Sequence, residues 1–237
     1  MLYDKPFTKE NLDKYLGELA KEFKKKNRKD MPAEIVLIGG ASVIVNYGFR
    51  EMTYDMDALI IASSAMKDAI QAVGYKYDLP RGWLNDDFVR TKSFTDKIIQ
   101  YSKFYRSFYG VLNVRTVTGE YLVAMKLKSG RQYKYDRSDV IGVLLEREKE
   151  GAPLSLEMIQ KAVADLYGSY DVLKEDVRLF LENIMANGDY EEMYLRTRQY
   201  EIDNRNNLVE YQDQNPGVIT RDNVDDIIAA LRKRESK

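Results

Sequence analysis

Apolar positions recur at helical spacing from Thr8 to Asn27, where Leu12, Leu16, Leu19, Ala20 and Phe23 fall on one face. Thr8 can cap that helix, with Asn11 and Asp13 near its start. The pattern then tightens. Ile35-Val36-Leu37-Ile38 is a short, β-branched apolar run of the kind that forms a buried strand. Gly39-Gly40 interrupts it, Ala41 to Tyr47 reads as one or two helical turns, and Gly48 stops them. A second strand is expected over Thr53 to Ile61, with Asp55 and Asp57 among otherwise apolar residues. Ser64 to Gly74 predicts a helix capped by Ser63 or Ser64, and Tyr75 to Lys92 reads mostly as loop. Val111 to Arg115 predicts a third core strand. Glu120 to Leu145 predicts a helix, a turn around Ser129-Gly130 and a second helix from about Arg137. Gly151-Ala152-Pro153 is the clearest boundary. Beyond it the pattern is helical over Ser155 to Tyr167, Val172 to Ala186, Tyr190 to about Tyr211, and Arg221 to Arg234. The expected organisation is an α+β core over 1–150 and a helical domain over 151–237.

Composition narrows the chemistry more than the fold. The 237 residues carry a net charge of −1, so any nucleic-acid binding must rest on a local patch rather than a global field. Cys and His are both absent, which removes disulfides, thiolate catalysis, Ser-His triads and most zinc sites. Walker A, Gly-x-Gly-x-x-Gly and Gly-x-Ser-x-Gly patterns do not occur. Carboxylates, Lys, Arg, Ser and Tyr are left, an inventory suited to metal-assisted phosphoryl or nucleotidyl transfer. The apolar runs are too short to span a membrane, and the charged start MLYDKPFTKENLDKY has no signal-peptide core. A cytoplasmic protein is the default expectation.

Asp55 and Asp57 stand two apart on the expected strand, so their side chains share a face. Paired carboxylates in apolar surroundings repel and lose hydration unless a cation joins them, and a hard ion such as Mg²⁺ or Mn²⁺ takes oxygen ligands and brings phosphates with it. The Gly39-Gly40 turn complements that pair, because N–H groups at a helix start approach an anion closely. Ser42 adds a hydroxyl in the first turn. One wall would hold a triphosphate and the other the metal that bridges it.

At these residues the sequence resembles the nucleotidyltransferase superfamily with the DNA polymerase β-like fold. It is most similar to the AbiEii-like and DUF6036-like branch, which includes toxin components of toxin–antitoxin and abortive-infection systems. Gly39, Gly40, Ser42, Gly48, Arg50, Thr53, Asp55 and Asp57 match the branch's first motif, and Glu120 to Leu145 looks like its second. The resemblance implies a mixed sheet flanked by helices, with a C-terminal helical region. It implies Asp55 and Asp57 as catalytic metal ligands, and Gly39, Gly40, Ser42, Arg50 and Thr53 as nucleotide-binding residues. Lys126 becomes the phosphate lysine and Arg131 a second phosphate contact. In most members of the fold a third carboxylate lies on the strand that here carries Asn113; Asp136 or Asp139 could substitute. Read from the residues alone, Asp136 is a helix cap and Asp139 half of a salt bridge. The implied reaction moves an NMP from an NTP to an acceptor hydroxyl, with a tRNA 3′ end first and a protein or an aminoglycoside-like small molecule next. A cognate antitoxin is an implied partner. The alternative is an inactive module of this fold that binds a nucleotide or a partner protein.

Three stretches keep two readings each. Lys21 to Lys29 holds six basic residues, either a solvated helix end or a landing site for a polyanion. Trp83 either plugs the edge of the core or stacks on a base. Tyr101, Phe104, Tyr105, Phe108 and Tyr109 are interleaved with Lys103 and Arg106, either as an edge strand or helix packing its aromatics inward or as a nucleic-acid surface.

Overall fold

The computed structural model describes residues 5–27, 31–220 and 223–235. Arg28 and Lys29 of the basic run, and Arg221 at the start of the last expected helix, lie outside them. The chain divides into two compact units, Met1–Met125 with Glu157–Tyr170 and Lys126–Leu156 with Asp171–Lys237. The expected boundary at Gly151 falls inside the second unit.

The first unit is built on a five-stranded mixed sheet. Helix α1 (Lys9–Lys26) opens it with a capping box, Thr8 Oγ1 accepting from Asn11 N while Asn11 Oδ1 accepts from Thr8 N. Strand β1 (Ala33–Leu37) runs directly into α2 (Gly39–Asn46), and β2 (Met56–Ile61) follows. Then come α3 (Ala65–Tyr77), the two-residue β3 (Leu84–Asn85), β4 (Lys103–Phe108), β5 (Leu112–Thr116) and α4 (Gly119–Ser129). The strand order is β3-β2-β1-β5-β4. β1 pairs antiparallel with β2 and parallel with β5, and β4 closes the far edge antiparallel to β5. The buried stripe of α1 packs with Met66, Ala69 and Val73 of α3 on Ile35, Leu37, Ala58, Leu112 and Val114 of the sheet. The apolar periods of helix and strands thus meet in one core.

Two details depart from expectation, and Trp83 takes one of its two readings. β2 begins at Met56, because Thr53 is held in an isolated bridge to Phe7 (N–O 2.7 and 2.9 Å), and Asp55 stands just ahead of the strand. α3 does not stop at Gly74. That glycine instead makes room for Trp83, whose ring lies 3.4 Å from where a Cβ would sit, and the helix ends at the left-handed Asp78. Trp83 is the core plug: it is buried against Phe7 and Tyr15, and its indole N–H donates to Ile70 O at 3.0 Å.

The second unit is helical. It contains α5 (Asp136–Lys149), which packs along the long α8 (Tyr190–Gln214), with α7 (Glu175–Asn187) and α9 (Val224–Glu235). Helix α6 (Leu156–Tyr167) belongs almost wholly to the first unit. No described helix is long and apolar enough to cross a membrane.

Candidate active site and a buried charge cluster

The turn from β1 into α2 is where backbone shape dictates sequence. Gly39 has φ +57°, a left-handed conformation that L side chains avoid, and a Cβ there would lie 3.5 Å from Asp57 Oδ2. At Gly40 a Cβ would collide with Thr53 Oγ1 and come within 2.9 Å of Arg50 Nη2. The two glycines therefore let the residues that follow Gly48 close against the helix start. Arg50 Nη2 donates to Thr53 Oγ1 (3.3 Å), and Thr53 Oγ1 donates to Asp55 Oδ1 (3.1 Å). Asp57 is fixed by β2, its carbonyl accepting from Ile38 N at 3.0 Å. Gly39, Gly40, Arg50, Thr53, Asp55 and Asp57 thus form one half-buried corner, gathered from fewer than twenty consecutive residues.

Ser42 takes a different place from the one expected. It is fully buried, donates to Val117 O (2.5 Å), accepts from Val117 N (3.0 Å) and pairs with Thr116 Oγ1 (2.8 Å). Asn46 Nδ2 adds bonds to Thr116 Oγ1 and Val117 O. These bonds bolt α2 to the end of β5, so Ser42 steadies the glycine corner from behind.

Register also places Asn113. It is level with Glu34 on β1, and Glu34 is level with Ile61 on β2. Asp57 lies four residues earlier, about 13 Å along the strand. Asn113 therefore stands away from the Asp55/Asp57 pair, and β5 carries no carboxylate at any position.

The donor set fits a magnesium-like ion that works with a nucleotide. Among the described residues no group of three or more acidic, His or Cys side chains could hold a metal alone. Two carboxylates beside an anion-accepting turn match the preference of Mg²⁺ for one or two carboxylates completed by phosphate oxygens and water.

The sequence matches the family described as nucleotidyltransferase of unknown function (DUF6036) over residues 14–179. The chain belongs to this family. No curated protein and no solved structure matches. The mixed sheet with flanking helices agrees with a nucleotidyltransferase core.

The remaining predicted residues of this DUF6036 family member lie in the helical unit, where they meet one another. Lys126 Nζ is 2.7 Å from Asp139 Oδ2 and 3.1 Å from Asp136 Oδ1, and all three side chains are buried. Arg131 adds its Nε (2.9 Å) and backbone N (3.1 Å) to Asp136 Oδ2. Burial pushes the Asp136 carboxyl up, but the Lys126 and Arg131 cations outweigh it and hold that group far below the usual carboxylate range. The anion that Lys126 meets is thus supplied by the chain itself. Asp136 does not cap α5 with its side chain.

The cap comes from a residue the sequence did not advertise. Glu201 of α8, fully buried, accepts from Arg137 N (2.9 Å), Ser138 N (3.3 Å) and Ser138 Oγ (2.5 Å). Burial raises its carboxyl to about 7; the bonds from Ser138 and Arg137 oppose that rise, and the nearby Asp139 and Asp136 add to it. Arg198, stacked on Tyr135 with its guanidinium 3.7 Å from the ring centre, donates to Ser138 Oγ (3.1 Å) and pairs with Asp139 (3.7 Å). The one sequence signal is spacing: Glu201, Asn204 and Leu208 fall on a single inward stripe of an otherwise polar helix.

Proposed function

We propose that the chain moves a nucleoside monophosphate from an NTP to an acceptor hydroxyl, and that Asp55 and Asp57 would hold the Mg²⁺ or Mn²⁺ that assists it. The observation that carries this reading is the contact of the Gly39-Gly40 helix start with the Asp57 carboxylate. Phosphate oxygens need both an N–H-rich turn and a cation, and this corner brings the binding groups for both together. The ion, when bound, neutralises charge that develops on the phosphate oxygens. In this reading the Gly39-Gly40 N–H groups hold the triphosphate, Asp55 and Asp57 would hold the ion, and Thr53 and Arg50 keep Asp55 in place. The acceptor oxygen bonds to the α-phosphorus as the bond to the β-phosphate oxygen breaks. Pyrophosphate leaves with the electron pair, and the hydroxyl proton passes to solvent. An RNA 3′ end such as that of tRNA is the acceptor this reading favours, in a toxin-like role with a cognate antitoxin.

The test is a thermal shift with each NTP, with and without Mg²⁺, on wild type and on Asp55→Asn/Asp57→Asn. A ligand at about 100 times its dissociation constant stabilises by about 2.7 kcal/mol, worth roughly 5–10 °C in a chain of this size. A Mg²⁺-dependent rise that disappears in the double variant is expected. No rise with any nucleotide, in folded protein, overturns the reading.

A further inference from the structure

The sheet unit has a second surface with its own chemistry, formed where α1 lies beside β4. Asp13, Gly17, Lys21 and Lys24 follow at spacings of four, four and three, so they share one side of α1. Asp13 accepts from Tyr105 OH (2.9 Å) and pairs with Arg106 Nη1 (2.7 Å). A Cβ on Gly17 would meet the Phe108 ring at 3.6 Å, and Lys21 Nζ sits 5.3 Å above the Tyr109 ring. The lysine-bearing side of α1 therefore continues onto β4 and its turn. From Asp13 to Lys26 and along β4, seven cations stand against three carboxylates, in a chain whose net charge is −1. Among the described residues Lys24 and Lys103 make no ion pair.

An aromatic ring stands in this positive field. Tyr109 is 54% exposed at the tip of the β4–β5 turn, whereas Phe104, level with Arg115, faces the other side of the sheet. Tyr109 also has φ +51°, where Asn or Gly would sit with less strain. Folding gains little from a half-exposed ring on a strained backbone position, so stability does not account for the tyrosine.

We propose that this face binds single-stranded nucleic acid, with Tyr109 stacking on a base and Lys21, Lys24, Lys103 and Arg106 meeting phosphates. Stacking needs unpaired bases with an open ring face, and it tolerates any sequence. The inference does not rest on nucleotide transfer, because it needs neither NTP nor metal. If the acceptor is RNA, this face is where it is held.

The experiment is fluorescence anisotropy of a labelled single strand of roughly 12 nucleotides, as RNA, as DNA and as a duplex, titrated with the full chain. Single strands are expected to bind more tightly than duplex and to weaken steeply with salt. Equal RNA and DNA affinity supports recognition of base and phosphate alone, and an RNA preference supports it with a 2′-hydroxyl contact. Tyr109→Asn suits the turn, so it is expected to keep or raise the melting temperature while weakening binding about tenfold; Phe104→Ser, on the other face of the sheet, is expected to leave affinity unchanged. Lys24→Gln or Lys103→Gln should lower the salt slope by about one. Unchanged affinity in Tyr109→Asn overturns the proposal, as does loss of binding in Asp55→Asn/Asp57→Asn, which would move the site to the glycine corner. Capture of an extended acidic peptide in place of the strand would assign the edge to a protein instead. A missing Mg²⁺–NTP shift with strand binding intact sinks only the transfer reading.

Discussion

The glycine corner and the Lys126 cluster both gather carboxylates, yet they treat charge in opposite ways. At the corner, Asp55 and Asp57 are half-buried and lie beside a helix start, with Thr53 donating to Asp55. In the helical unit, Asp136 and Asp139 are fully buried and already neutralised by Lys126, Arg131 and Arg198. A carboxylate that keeps its oxygens near water can give them to a cation; one paired inside the fold gives its charge to the fold. In the proposed reading the first arrangement serves a ligand, and the second serves rigidity. The two regions should therefore answer substitution in opposite currencies, stability in the helical unit and ligand response at the corner.

The largest stability effect is expected from Lys126→Met, which leaves Asp136 and Asp139 buried without their shared cation. A loss of about 3–5 kcal/mol is expected by chemical denaturation. A loss under 1 kcal/mol would mean that water or another group reaches those carboxylates, and the contrast between the regions would collapse.

Glu201 gives the next effect, and its sign is set by the direction of its shift. The folded carboxyl is raised to about 7 from an ordinary 4.5, so the folded state holds the proton more tightly. Stability from this group is full below about pH 4.5 and is lost as pH rises towards 7, by up to about 3 kcal/mol. Asp136 has the opposite sign: its contribution is present above its ordinary 3.8 and is lost as pH falls towards its depressed folded value. Denaturation of wild type and Glu201→Gln between pH 4.5 and 7 isolates the first. The variant should gain on wild type as pH rises, and a constant difference would show that Glu201 titrates normally.

The corner was legible because all its parts are local. Gly39-Gly40 and the Asp55/Asp57 spacing fall within one strand–helix–strand passage, and local spacing is what sequence preserves. The register that moves Asn113 away from Asp57 is set by pairing between β1, β2 and β5, which no window of sequence contains. Ser42 was misplaced for the same reason, since its partners Thr116 and Val117 lie more than 70 residues on. Glu201 was invisible because a glutamate in a polar helix looks solvated until α5 is laid against it. Lys126 was read by resemblance as a phosphate lysine, and the sequence could not say that the chain itself provides it with two carboxylates.

Gly40→Ala tests whether the corner's shape, rather than its charge, is the limiting feature. The added methyl collides with Thr53 and crowds Arg50, so a stability loss of about 1–3 kcal/mol is expected from overpacking. Thr53 cannot retreat easily, since its backbone is bridged to Phe7. The Mg²⁺–NTP thermal shift should vanish in the folded variant. A retained shift would show that the turn can open without losing its ligand.

Asp57→Asn is the smallest perturbation of stability and the sharpest test of the contrast. The amide is isosteric, and the strand bond uses the Asp57 carbonyl. Stability should stay within about 0.5 kcal/mol of wild type. The Mg²⁺ dependence of nucleotide binding should nonetheless be lost, because an amide oxygen carries no charge to hold a hard cation against water. If Asp57→Asn instead costs several kcal/mol and leaves Mg²⁺–NTP binding intact, Asp57 belongs to the fold in the way Asp136 does, and the corner is a structural joint. A near-silent melting curve with an abolished metal response would place the two carboxylate pairs in different roles, one kept open for a ligand and one used up in holding helices together.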